Sequence, residues 1–429
     1  MKRQTIKNNS KICAIICELN PMHTGHKHLI DEARKITNCD YLIGLMSGNF
    51  SQRSEVCILD KYTRAKIAAN NGMDMVLNFP TAFCTNNAEV FALSSIKILN
   101  QTKVDYLAFG VETTNEQAFY LLAKFMLNEP KEFKKKLKQN LKSGLAYFNA
   151  YTKTIFENQN LIKDNVDVFL NILSKPNNTL ALEYIKAIIK TKSTIKPIFV
   201  KRIDNYNSDE IKENFVGANF IRKNLIENSL SKVEKFLPEN SINIFEENLN
   251  NIKNAFNKNL IIKDEKVFEI PQVLKTLIMY KLKFMTTKQI SKIYGANEGI
   301  ENRLKTEVSK TSNFDIFYKN ILTKRYKQNR INSILLNSLL EIEKSTILKI
   351  YTTKTNIYIK ILAINPKKRD ILSKINAKYF ILRKLDVQKL KLNKFNKKLF
   401  EIENSSNKVY NLIFKSSLIE EDLYNKMRD

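Results

Sequence analysis

Between Lys11 and Glu112 short apolar runs alternate with stretches of helical periodicity, and this alternation constrains the fold more than any other feature of the chain. Ile12 to Cys17, Tyr41 to Met46, Met73 to Phe79 and Val104 to Phe109 read as strands, with helices over His28 to Thr37, Asp60 to Asn70 and Glu89 to Asn100. Strands that are short and apolar throughout are buried on both faces, and strands joined through helices pair in parallel by βαβ crossovers. The pattern predicts an α/β fold with a doubly wound, Rossmann-like parallel sheet.

At 429 residues and 43% hydrophobic content the chain exceeds what a single core usually organises, so two or three domains are expected. A strand is predicted from Thr194 to Ile203 and another from Tyr358 to Ile364, but beyond Asn205 the sequence is mostly helical and rich in lysine. The boundary falls between about 230 and 260, giving an α/β domain over 1–240 and a mostly α-helical, basic region over 241–429. The apolar run Ile12 to Cys17 is too short to span a membrane or form a signal-peptide core, so no membrane is expected and the cytoplasm is the expected location. Five cysteines without a C-x-x-C pair read as reduced thiols. Nothing in the sequence specifies an oligomeric state.

The charge is lopsided: 71 Lys and Arg against 43 Asp and Glu, net +28. A compact chain so charged repels itself unless a polyanion shares its surface, and nucleic acid is the expected partner. A bias toward Lys, Asn and Ile in the coding DNA is the competing explanation for the same number.

All three histidines, His23, His26 and His28, lie within six positions. They occupy the loop that leaves the first predicted strand and enters the first predicted helix, the edge at which doubly wound sheets bind ligands. A helix N-terminus offers unpaired N–H groups and partial positive charge, Gly25 allows close backbone approach, and imidazoles add donors whose charge can respond near neutral pH. His23-Thr-Gly-His26 is an HxGH signature in this context, and it indicates a phosphate site. A second polar loop, Met46 to Glu55, follows the second strand. Its Ser47, Asn49, Gln52 and Arg53 are expected to position a small substrate or phosphates, with charge from Lys61 and Arg64.

Taken together, Glu-Leu-Asn-Pro-Met-His-Thr-Gly-His from Glu18, Met-Ser-Gly-Asn-Phe-Ser-Gln-Arg from Met46, Asp-Lys-Tyr-Thr-Arg-Ala-Lys from Asp60, Lys-Pro-Asn-Asn-Thr-Leu-Ala-Leu-Glu-Tyr from Lys175 and Asn-Glu-Gly-Ile-Glu-Asn-Arg-Leu-Lys from Asn297 resemble the tRNA(Met) cytidine acetate ligase family. Thr-Lys-Arg-Tyr from Thr323 and Tyr-Ile-Lys-Ile-Leu from Tyr358 carry the resemblance into the C-terminal part. It implies a nucleotidyltransferase-type enzyme that uses ATP to form acetyl-adenylate from acetate. The acetyl group then passes to N4 of the wobble cytidine of elongator tRNA(Met). His23 and His26 are implied as the catalytic pair. The ATP site is implied to comprise Ile16, Cys17, Glu18, Leu19, Asn20, Pro21, Met22, His23, Thr24, Gly25, His26, Lys27, His28 and Leu29, with Gly110, Asn177 and Arg202. Mg2+ is expected with ATP, held by phosphates and water, and no protein metal ligand is assigned.

For tRNA, Arg303, Lys305, Lys324, Arg325, Lys327 and Arg330 are the expected contacts, because cations in a helical domain can track a phosphate backbone. Tyr326 reads either as a platform for an unpaired base or as a core residue. The chain departs from the family pattern in Phe215-Val-Gly-Ala-Asn-Phe-Ile-Arg222, which lacks hydroxyls at Gly217 and Asn219, in Ala146 to Tyr151, and at Ala181, where a glycine is usual. Two alternatives therefore stand beside the ligase: a small-molecule adenylyltransferase, and an RNA-binding protein with a decayed ATP site.

Overall fold

The computed structural model describes residues 10–145, 147–162, 165–202, 216–227, 230–256, 270–323, 326–375, 379–381, 386 and 390–416. Strands β1 (Ile12–Cys17), β2 (Tyr41–Ser47), β3 (Met75–Phe79), β4 (Tyr106–Val111) and β5 (Lys196–Lys201) form a parallel sheet in the order β5-β4-β1-β2-β3. Their central residues are buried because each strand lies between helical layers: Cys13, Leu42, Val76 and Leu107 are inaccessible to solvent. The chain winds outward from β1 through β2 to β3, then returns to place β4 on the other side of β1. Crossovers in both directions put helices on both faces.

Helix α1 (Thr24–Thr37) joins β1 to β2, α2 (Lys61–Asn70) joins β2 to β3, and α3 (Ala88–Asn100) precedes β4. Asp60 caps α2 by accepting from Tyr62 N and Thr63 N, and Asn87 caps α3 by accepting from Val90 N, so each helix begins at a side chain that satisfies its first amides. After several helices, α4 (Pro176–Thr191) leads into β5. The buried thiols Cys13, Cys17, Cys57 and Cys84, with the half-buried Cys39, are all free.

The expected all-parallel sheet is extended by a strand of opposite direction. β6 (Ile359–Ile364) pairs antiparallel with β3, shifting register between Val76 and Leu77, and β7 (Phe380–Ile381) pairs with β6. Residues after 240 thus supply two of the seven strands of the sheet, and the expected division near 240 does not divide it. Among the described residues the rest of that region is mostly helical and includes α5 (Ile300–Lys310), α6 (Gln328–Leu340) and α7 (Lys394–Phe414). No helix among the described residues is long and apolar enough to cross a membrane.

Candidate functional site

The turn after β1 is built to aim two imidazoles. His23 is the N-cap of α1, and its Nδ1 accepts from Gly25 N at 3.1 Å, while His26 Nδ1 accepts from His23 N at 3.3 Å. This is a capping box made of two histidines instead of the usual hydroxyl and carboxamide. A ring nitrogen that accepts carries no proton, so each neutral ring holds its proton on Nε2 and offers an N–H donor on the opposite edge. The rings lie 4.0 Å apart, centroid to centroid, and both line a cavity of about 1080 Å³. Burial, then the Arg202 and Arg222 guanidinium charges, push the His23 imidazole down to about 3. His23 is therefore neutral through the physiological range, and the charge response expected of it near pH 7 is absent.

The implied ATP residues divide into two groups. Ile16, Cys17, Glu18, Leu19, Asn20, His23, His26, Leu29, Gly110, Asn177 and Arg202 line the cavity, whereas Pro21, Met22, Thr24, Gly25, Lys27 and His28 do not. Met22 packs into the core, and the N–H of Gly25, expected to allow close backbone approach, is bonded to His23. The loop is pinned from beneath by Arg64, which is buried and donates to the carbonyls of Glu18, Ser47, Gly48 and Leu59. Glu18 accepts from Gln52 N at 2.6 Å, and loss of solvent raises its carboxyl above the ordinary range.

The polar loop after β2 corrects one expectation. Gln52 and Arg53 line the cavity, but Ser47, Asn49, Lys61 and Arg64 are buried and do not line it. Asn49 accepts from Lys61 N at 2.9 Å and donates to Asn407, and Lys61 pairs with Glu403.

Gly110 sits near the end of β4, opposite Val200 of β5. A Cβ there would lie 3.0 Å from Arg202 Cγ, so a bare backbone is what allows Arg202 to lie across the strand. Asn177 donates to Glu112 at 2.7 Å, and Glu112 also accepts from Asn178 N. Asn178, which the sequence reading passed over, is inaccessible to solvent and accepts from Glu112 N at 2.9 Å. The Asn-Asn pair therefore clamps the N-terminus of α4 to the end of β4. Its only sequence signal was a second amide beside the first, after a helix-starting proline.

The departing motif also lines the cavity through Gly217, Ala218, Asn219 and Arg222, as does Ala181. Phe215 lies outside the described residues. Where hydroxyls were expected, Asn219 accepts from Arg222, which also donates to Asn20 O at 2.6 Å and pairs with Glu55 at 3.1 Å. Ala146 is outside the described residues, and Tyr147 to Tyr151 do not line the cavity.

Of the expected RNA contacts, Lys324 and Arg325 lie outside the described residues. Lys327 is exposed at the start of α6. Arg303 donates to Asn320 O, Lys305 to Lys283 O at 2.8 Å, and Arg330 to Glu298 at 3.0 Å. Tyr326 resolves to the core reading: it is buried, its hydroxyl donates to Glu298 O at 2.6 Å, and Arg330 lies 5.3 Å from its ring centre. Arg330 itself lines the same cavity as the histidines.

A doubly wound sheet with two Nε2–H donors at the N-terminus of its first helix is a nucleotidyltransferase architecture, and a family model described as HIGH Nucleotidyl Transferase matches residues 10–425. A tRNA(Met) cytidine acetate ligase of a Thermoanaerobacter species is 33% identical over 415 residues, covering 95% of this chain and 96% of its own. One from Clostridium kluyveri is 36% identical over 371 residues, covering 85% and 87%. Crystal structures of Thermotoga maritima TmcAL, one bound with alpha-thio ATP and one apo, match with TM-scores of 0.83 and 0.84 at 27% identity over 95% of each chain. The chain belongs to the tRNA(Met) cytidine acetate ligase family.

Proposed function

We propose that the protein is an ATP-dependent ligase that acetylates N4 of the wobble cytidine of elongator tRNA(Met). The observation that carries the reading is the histidine pair, whose two Nε2–H donors are fixed by mutual capping at the edge of the cavity. In the first step an acetate oxygen attacks the α-phosphorus of ATP, the bond to the bridging oxygen breaks, and pyrophosphate leaves with that electron pair. Charge builds on the phosphates as this happens. Neutral N–H donors held in place beforehand stabilise that charge without having to reorganise. His23 and His26 are the proposed donors, with Arg202 drawing charge from the side of β4 and β5.

In the second step the cytidine N4 attacks the acetyl carbonyl carbon, the bond to AMP breaks, and N4 gives up one proton. Gly110 and Asn177 belong to the proposed nucleotide site with the cavity-lining residues of the loop after β1. Mg2+ would enter with ATP, held by its phosphates and water. Among the described residues no group of three His, Cys, Asp or Glu side chains is placed to hold a metal ion. Arg303, Lys305, Lys327 and Arg330 are proposed to approach the tRNA backbone, where three of them bring charge already steadied by main-chain or side-chain partners.

The test is incubation of the full chain with ATP, labelled acetate and tRNA(Met). Acetate-dependent pyrophosphate release and acetyl label in the anticodon loop are expected. Pyrophosphate release indifferent to acetate would favour a small-molecule adenylyltransferase, and tRNA binding without nucleotide turnover a decayed ATP site.

A further inference from the structure

The cavity reaches beyond the nucleotide end. Its volume of about 1080 Å³ lies at the upper end of the ~300–1,000 Å³ typical of a small-molecule site. The strand order locates the extension. The nucleotide end lies where the winding reverses, over β1, β4 and β5, and the loops after β2 and β3 extend the cavity to the other side of β1. There the wall includes Asn87 at the start of α3 and, from the C-terminal region, Tyr294, Asn297, Glu298, Arg330 and Lys344.

This far wall differs in chemistry from the histidine end. Asn87 donates to the Tyr294 hydroxyl at 3.0 Å, joining the α/β sheet's third helix to the loop of residues 294–298. Arg330 ties that loop together, donating to Glu298 at 3.0 Å and also to Asn297 Oδ1. The wall thus offers amides, a phenol and a carboxylate whose charge is paired with Arg330, while Lys344 donates to the carbonyls of Ser291 and Ala296 at 2.7 and 2.8 Å. Such groups suit the mixed donor and acceptor edge of a heterocycle better than they suit a phosphate, which cations and bare amides favour. Cytosine presents an N4 amine donor beside N3 and O2 acceptors, and carboxylates and amides are the side chains that read such an edge.

We propose that this far half of the cavity receives the acceptor base: a cytosine swung out of a single-stranded RNA loop, with N4 directed toward the histidine end. Asn87, Tyr294 and Asn297 are the groups that position it. A wall set inside a cavity cannot read a base that is still stacked in a duplex, so the substrate must be an unpaired loop nucleotide. The inference rests on the ligase reading and adds the residues that hold the second substrate.

The two half-reactions separate the possibilities. Asn297→Ala, Tyr294→Phe and Asn87→Asp, the last of which keeps the oxygen that caps α3, are compared with the parent at a temperature where melting curves show all four folded. Acetate-dependent pyrophosphate release without tRNA should stay within about twofold of the parent. The kcat/KM for acetyl transfer to tRNA(Met) should fall about tenfold or more, the effect of losing one base-edge contact. The tRNA Kd should move less than about threefold, since phosphate contacts supply most of the affinity. Unchanged transfer in Asn297→Ala and Asn87→Asp, or a parallel fall in both half-reactions, would overturn the assignment. If the parent itself releases no acetate-dependent pyrophosphate, the ligase reading fails independently of these variants.

Discussion

Lys61 and Glu403, separated by 342 positions in sequence, meet at 2.7 Å with side chains 1% and 0% exposed. Glu403 also accepts from Thr81 N and Thr81 Oγ1, each at 2.9 Å, so its carboxylate joins the start of α2, the turn after β3 and the last described helix, α7. Removing one partner strands a buried charge. Glu403→Ala should lower the free energy of unfolding by about 3–5 kcal/mol, measured by denaturant titration, whereas Lys61→Met with Glu403→Leu should recover most of that loss.

His26→Ala should slow acetate-dependent pyrophosphate release by about two to three powers of ten while leaving the KM for ATP within a few-fold, if the ring acts mainly on charge that develops during transfer. The same substitution removes half of the capping box, costing about 1 kcal/mol of stability, which a thermal melt reports separately. A rate equal to that of the parent would remove His26 from catalysis.

The depressed His23 imidazole sets a pH dependence of stability. Its ordinary value is 6.5 and its folded value about 3, so between those limits the unfolded chain takes up a proton that the folded chain refuses. Stability therefore falls as pH drops through that window, by up to about 1.4 kcal/mol per pH unit, and gains nothing from His23 above 6.5. His23→Asn should flatten this acid limb in melts recorded from pH 7 to pH 4. Titration of His23 should leave no inflection near pH 6.5 in kcat/KM for ATP.

Gly110→Ala places a methyl carbon 3.0 Å from Arg202 Cγ. The fold should lose about 1–3 kcal/mol from overpacking, and the KM for ATP should rise several-fold as Arg202 is pushed off the strand. A normal KM in initial-rate assays would show that Arg202 reaches the nucleotide from elsewhere.

With a net charge of +28, affinity for tRNA should depend steeply on salt. About six phosphate contacts correspond to a loss on the order of a thousandfold between 50 and 200 mM salt, readable by filter binding. Lys327→Ala should reduce the slope by about one contact without altering pyrophosphate release.

The α/β core was legible because each of β1 to β4 is a short apolar run between helices, a local signal that survives without knowledge of the partner strands. Their order was not, since apolarity says that a strand is buried and not what lies beside it. The loop residues illustrate the same limit at the site. Ser47, Asn49, Lys61 and Arg64 looked available for substrate because they are polar, yet residues as distant as Asn407 and Glu403 turn two of them inward. His23 and His26 were legible as a pair, but their capping geometry, and with it the position of their protons, depends on backbone angles no motif spells out. The far wall at Tyr294 to Glu298 showed in the sequence only through the resemblance of the segment from Asn297: that it lines the cavity depends on the packing of the C-terminal region against α3.

The antiparallel pairing of β6 with β3 means that the two halves of the chain are not separable parts. A fragment ending near residue 240 would leave Met75, Val76 and Leu77 with no neighbour on one side, a bare row of amides and carbonyls along an apolar strand. Such an edge recruits further copies of itself, so shortening the protein to its nucleotide-binding half invites aggregation in place of a smaller working enzyme.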